Sequence, residues 1–177
     1  MSDTELELAR RHAPIVYFDE REPFLPQIVG YCVLREPGPS TTFDGYLSFT
    51  PTVGGLPGFR AGTPVEGVSA IIEYALWTDW DIQHCYELEH VWSYVDAGGH
   101  LIYAEASWHG GRGPLLRDGR LSAEDERPVA YAQPGKHAMA PEPGVFAAFD
   151  LSRVQYSRPA GTSAAKDGLL VGRPIAG

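Results

Sequence analysis

The chain has 177 residues, 44% hydrophobic and 21% charged, with 14 Lys+Arg against 23 Asp+Glu and a formal charge of -9. That length fits one ordinary domain of roughly 100–200 residues, able to bury about 70% of its unfolded surface without covalent staples. The acidic balance opposes nucleic acid as a partner, and no uncharged apolar run approaches the ~20 residues that span a bilayer.

Cys32 and Cys85 are too few for a disulfide framework. The start, Met1-Ser2-Asp3-Thr4-Glu5, lacks the basic and apolar regions of an export signal, so the expected location is cytoplasmic.

Taken in chain order, Asp3 to His12 reads as a short helix: Leu6, Ala9 and Arg10 fall at helical spacing, Glu5 and Glu7 sit in the first turn, and Pro14 closes it. The period then changes to two. Ile15–Phe18, Ile28–Leu34 and Thr42–Phe49 are β-branched or aromatic runs bounded by Pro, Gly or charge, and each predicts a strand. Residues 50–66 predict a long loop, of the length that borders sites.

Val68–Trp77, Cys85–Val95 and Leu101–Trp108 carry the densest strand signal, with Asp96-Ala97-Gly98-Gly99-His100 as the turn between the last two. Residues 109–127 are Gly- and Arg-rich and read as loop, Pro128–Ala132 as a later strand, and residues 158–177 as a loosely packed tail. With Gly 20 and Pro 15 in the composition, the expected fold is all-β: a single-domain β-sandwich over residues 1–177, with a short N-terminal helix and long loops.

The chemistry concentrates in Asp79-Trp80-Asp81-Ile82-Gln83-His84-Cys85-Tyr86-Glu87-Leu88-Glu89-His90, followed by Glu105, His109 and His137. Carboxylate oxygens and imidazole nitrogens together suit divalent cations from Mg and Ca through Mn and Fe to Zn, so the ligand types leave the metal open.

Along a strand, residues i and i+2 share a face, which puts Glu87 beside Glu89. Two adjacent carboxylates on a buried face require a proton or a cation between them; on an outer face they are simply solvated. The alternate face carries Tyr86, Leu88, His90 and Trp92 and reads as packing, with His90 a hydrogen-bonded core histidine. Trp77, Trp80, Trp92 and Trp108 are most economically core, although Trp80 and Trp108 are placed to wall a pocket.

A three-residue turn, Ala97-Gly98-Gly99, sets Asp96 opposite His100, Glu89 across from Ser107, Glu87 across from His109 and Glu105 opposite Val91. A two-residue turn at Gly98-Gly99 shifts the register by one. The odd turn is favoured because its last position takes a glycine with positive φ. His100 reads as solvated and His12 as a helix C-terminal residue without a role.

The run His84-Cys85-Tyr86-Glu87-Leu88-Glu89 resembles the G-H-R-H-D-W-E heptad of necrosis- and ethylene-inducing-peptide-like proteins. The same segment, with Ala9–Phe18, Glu22–Pro26, Ala106–Gly110 and Arg127–Ala138, is similar to the vacuolar protein sorting-associated sixty-two family over residues 9 to about 140. Both resemblances imply a β-sandwich with a metal at one edge. The first implies His84, Glu87, Glu89 and one of Asp79 or Asp81 as its ligands. The chain departs from the heptad at Gln83, Tyr86, Glu87 and Leu88, and Glu in place of Asp lengthens one ligand by a methylene, which bears on the identity of the metal.

The expected function is that of a metal-dependent enzyme, hydrolase or lyase, acting on a small oxygenated substrate. The divalent metal ion is held by His84, Glu87, Glu89 and Asp81; His137, Lys136 and His109 are the catalytic candidates; Tyr86, His90, Trp108 and Trp80 are the substrate-binding candidates. One alternative is a binding module that uses the metal to bridge a glycan or head group without turnover, and another is a purely structural cation. Expected partners are a small-molecule or glycan ligand, with no nucleic acid and no transmembrane segment, and a homodimer is left open.

Overall fold

The computed structural model describes residues 3–20, 22, 24–40, 46–49, 51–53, 63–80, 86–108 and 111–147. Helix α1 (Asp3–Arg11) presents Leu8 and Ala9, with His12 one turn on, to the interior. Arg10 and Arg11 lie in its last turn, where cations suit the dipole. Pro14 stops it, because the residue before a proline is driven from helical geometry. The Tyr74 hydroxyl donates to the Ala9 carbonyl at 2.7 Å, occupying one of the acceptors that every helix end leaves open.

The strands follow as β1 (Ile15–Tyr17), β2 (Ile28–Leu34), β3 (Gly38–Pro39), β4 (Tyr46–Leu47), β5 (Thr52–Val53), β6 (Thr63–Pro64), β7 (Ala70–Thr78) and β8 (Glu87–Val95). After the turn come β9 (Leu101–Trp108), β10 (Gly111–Pro114), β11 (Leu116–Arg117), β12 (Arg120–Leu121), β13 (Ala123–Glu124), β14 (Arg127–Ala132) and β15 (Met139–Ala140), then the short helix α2 (Gly144–Ala147). The fold is all-β. An antiparallel sheet of five strands runs β10-β9-β8-β7-β2, and a smaller sheet has β14 at its centre, parallel to β1 and antiparallel to β13 and β15.

Alternation along β7 and β8 divides the interior in two. Ile72, Tyr74 and Leu76 of β7, with Val91 and Val95 of β8, meet α1 and the smaller sheet through Ala9, Ala130 and Met139. The opposite face buries Ile71, Trp92, Tyr94 and Tyr103 under Leu47, with Phe49, Val65 and Leu116 packed around them. Each such large side chain contributes on the order of 1.5–3 kcal/mol by leaving water.

The structure corrects four expectations. Residues 109–127 do not form one loop: from residue 111 onward they carry β10 to β13, strands too short to show alternation, joined at Asp118-Gly119 by a turn with both residues at positive φ. Residues 50–66 hold the paired strands β5 and β6, and in Thr42–Phe49 the strand is only Tyr46–Leu47 among the described residues.

The fourth correction concerns the β8–β9 hairpin. Its turn has the expected odd length: Asp96 N–H donates to the His100 carbonyl at 3.0 Å, and Gly99 adopts φ 76. Yet Val95 pairs with Leu101 and Tyr94 with Tyr103, so Ile102 is extra, a β-bulge. Beyond it the register slips by one, and Glu105 opposes Trp92 instead of Val91. Glu105 therefore lies on the face away from Glu87 and Glu89. The tail, residues 158–177, lies outside the described residues.

Candidate functional site

Strand β8 places Glu87 opposite Thr78 and Glu89 opposite Leu76, both projecting from the face that carries Val91. Glu87 is half-buried, and Glu89 is 3% exposed. The ladder between β8 and β9 ends at Val91 and Ala106, and the Ser107 side chain takes over from there. Its hydroxyl accepts the His90 N–H at 2.6 Å and donates to the Glu89 carboxylate. The strands thus part at the acidic end of β8, and a serine hydroxyl bridges the opening.

On the other face His90 is 3% exposed and stacks on Trp92 with ring centroids 5.4 Å apart. Burial holds its imidazole below the usual range, against the opposing pull of Glu73. His90 is the packed core histidine that the alternation predicts. Tyr86 is 57% exposed and stacks on Trp77 at 4.9 Å and 8°, while the Trp77 indole N–H donates to Asp79 at 3.2 Å. Trp80 is half-buried and packs on Phe24. His84, Asp81 and His109, and the Trp108 side chain, lie outside what is described.

His137 is enclosed. Its Nε2 stands 3.2 Å from Glu22 Oε1 and its Nδ1 3.3 Å from the Thr78 hydroxyl, and all three residues are buried. Glu22 also accepts the N–H groups of Phe24 at 3.0 Å and Gly135 at 2.6 Å. The turn that delivers His137 closes through Gln133, whose carbonyl accepts from both Lys136 and His137 and whose N–H donates to Ala138. Gly135 and His137 there have φ of 68 and 56. Thr78 in turn donates to the Glu87 carbonyl at 3.5 Å. A carboxylate–imidazole–hydroxyl chain therefore ends at the backbone of a predicted ligand. Such a chain fixes the imidazole tautomer and can hold a proton between its ends. Sequence reasoning missed Glu22; its one local sign was a carboxylate set directly before Pro23-Phe24.

A second polar group lies on the Trp92 face. The Tyr94 hydroxyl donates to Glu105 at 2.5 Å and the Tyr103 hydroxyl at 3.4 Å, and Arg112 approaches the same carboxylate at 3.6 Å while lying over the Trp92 ring at 5.8 Å. Burial, reinforced by the Glu105 charge, pushes both phenols well above their ordinary range. Across the sheet, Ser40 donates to Glu73. These contacts satisfy polar groups that the aromatic face would otherwise strand.

Among the described residues, no three His, Cys, Asp or Glu side chains come together in a way that could hold a metal ion. Of the three described ligand candidates, Glu87 and Glu89 share a face and their oxygen donors suit a hard or borderline cation, while Asp79 is exposed and accepts from Trp77. No helix among the described residues is long and apolar enough to cross a membrane.

No family model matches the chain and no curated protein matches it, so nothing beyond the motif residues supports the likeness to the vacuolar sorting family. Among solved structures, the chain is similar to the crystal structure of necrosis and ethylene inducing protein 2 from the causal agent of cocoa's witches' broom disease, at 14% identity and a TM-score of 0.42. That likeness covers 75% of this chain and 66% of the other, so this chain spans somewhat under two thirds of its neighbour. Two chains that diverge this far need not share an architecture, and the all-β description rests on the strand ladders themselves.

Proposed function

We propose that the chain is a metal-dependent enzyme of hydrolase or lyase type, acting on a small oxygenated substrate beside β8, with His84, Glu87, Glu89 and Asp81 as the metal ligands. The observation that supports this reading is the enclosure of Glu89, 3% exposed, on the same strand face as Glu87. Adjacent carboxylates removed from water are costly unless a proton or a cation stands between them. A divalent ion held there by these residues would supply Lewis acidity toward a substrate oxygen or a water.

The chain's own groups divide the remaining work. Ser107 orients Glu89. Lys136 and His109 are the groups assigned to reach substrate, as anion clamp and proton carrier. His137, shut between Glu22 and Thr78, positions the end of β7 and the start of β8.

Metal titration followed by calorimetry tests the reading. The wild-type chain is expected to bind one divalent ion, and Glu89→Gln to bind it at least about tenfold more weakly, about 1.4 kcal/mol, with an unchanged far-UV spectrum. A wild-type chain that binds none of Mg, Ca, Mn, Fe or Zn sinks it.

The second reading, a glycan- or head-group-binding module, is favoured by one feature: the exposed Tyr86–Trp77 stack next to Asp79, an aromatic surface suited to a ring-shaped ligand. Saturable binding without turnover selects that reading over the enzyme.

A further inference from the structure

Away from β8, the hairpin of β11 and β12 sets Arg117 directly across from Arg120. Like charges facing each other across a ladder repel. Arg117 stands 3.5 Å from Glu142, whereas the Arg120 side chain is exposed and makes no ion pair or hydrogen bond with any described residue. Both arginines line a cavity of about 580 Å³, within the roughly 300–1,000 Å³ typical of small-molecule sites.

Deeper in that cavity lie buried Val129 and half-buried Leu121 and Tyr131. The Tyr131 ring stacks on Tyr17 at 5.1 Å and 19°, and Tyr17 is itself 43% exposed, so an aromatic surface continues from the cavity to solvent. Two carboxylates also border it. Glu124 stands opposite Arg127 in the β13–β14 register, and Asp118 occupies the tip of the turn. The lining therefore carries two arginines and two carboxylates; Arg117 has Glu142 beside it, and Arg120 is the arginine left without an ion pair among the described residues.

We infer that this groove binds a small aromatic carboxylate, its acid group held by Arg120 and Arg117 and its ring laid against Tyr131 and Leu121. A guanidinium fork matches a carboxylate in a two-point geometry, and an anion placed between the two arginines turns their repulsion into attraction. The β11–β14 groove is independent of the β8 site, and neither reading depends on the other.

The test is calorimetric titration of the whole chain with benzoate, and with benzyl alcohol as the neutral ligand of similar shape. Saturable benzoate binding is expected, with benzyl alcohol and the Arg120→Gln chain each weaker by about tenfold or more. Glu142→Gln, which releases Arg117 from its carboxylate, is expected to tighten benzoate binding. Arg117→Gln serves as a second loss variant, and unchanged melting curves show that the exposed hairpin still folds. Absence of saturable benzoate binding by the wild-type chain, equal affinity for the alcohol, or an unaltered affinity in Arg120→Gln overturns the proposal.

Discussion

The two ends of β8 each stand beside a buried histidine, and the two rings are held by different kinds of partner. At the Val95 end, His12 places Nδ1 2.7 Å from the Glu126 carbonyl and Nε2 3.0 Å from the Gly99 carbonyl, while its own carbonyl accepts from Ser93. At the Glu87 end, His137 lies between a carboxylate and a hydroxyl. A carbonyl only accepts, and its position is fixed by the backbone, so His12 works as a clamp joining α1, the hairpin turn and the Asp125-Glu126 turn. A carboxylate and a hydroxyl belong to side chains, and their hydrogen bonds can be rearranged. The contrast teaches that the rigid end of the strand is the one sealed by main chain, and the adjustable end is the one that carries the acidic pair.

Removing the clamp is the severest way to break this contrast. His12→Ala empties a fully buried position and strands two carbonyls, which is expected to cost about 3–4 kcal/mol in a denaturant melt. Metal titration of the folded fraction should remain as in the wild type, because the loss falls at the far end of the strand. Glu22→Gln is the milder counterpart, at about 1–2 kcal/mol for weakened charge-assisted hydrogen bonds. Unlike the first variant it should also weaken the metal binding proposed at Glu87 and Glu89, and an unchanged titration would show the two ends to be equivalent.

The smallest effect is one of pH. The Leu101 N–H, 2.5 Å from Glu126, holds that carboxyl below its ordinary value of 4.5, and the His100 N–H does the same for Asp96 relative to 3.8. The unfolded chain takes up these protons first as pH falls, so the stability they supply is present above those ordinary values and is lost below them. Both groups are solvent-accessible, so the loss is modest. Melting temperatures measured from about pH 5 down to about pH 3 should fall less steeply in Glu126→Gln than in the wild type.

The residues themselves show what was legible in advance. Helix α1 follows from its helical spacing, and β2, β7, β8 and β9 from long β-branched and aromatic runs bounded by turn residues, with β7 and β8 buried on both faces. Glu87 and Glu89 share a face, as a period of two requires. The network around Glu22 was hidden because its partner His137 is 115 positions away and only tertiary packing unites them. His12 was passed over for a related reason: at a helix end it looks like a surface cation, and its burial arises when two distant turns close over it. Strands β10 to β13 escaped notice because two to four residues are too few to display a period.

Ile102 decouples two quantities that a regular hairpin ties together. One strand of the pair carries a surplus residue, and that surplus lets a turn of odd length feed a ladder of the opposite phase. Everything past it is indexed from the pairing of Tyr94 with Tyr103 and not from the turn. The tip can therefore stay fastened to His12 through the Gly99 carbonyl while Glu105 keeps its seat among the tyrosines.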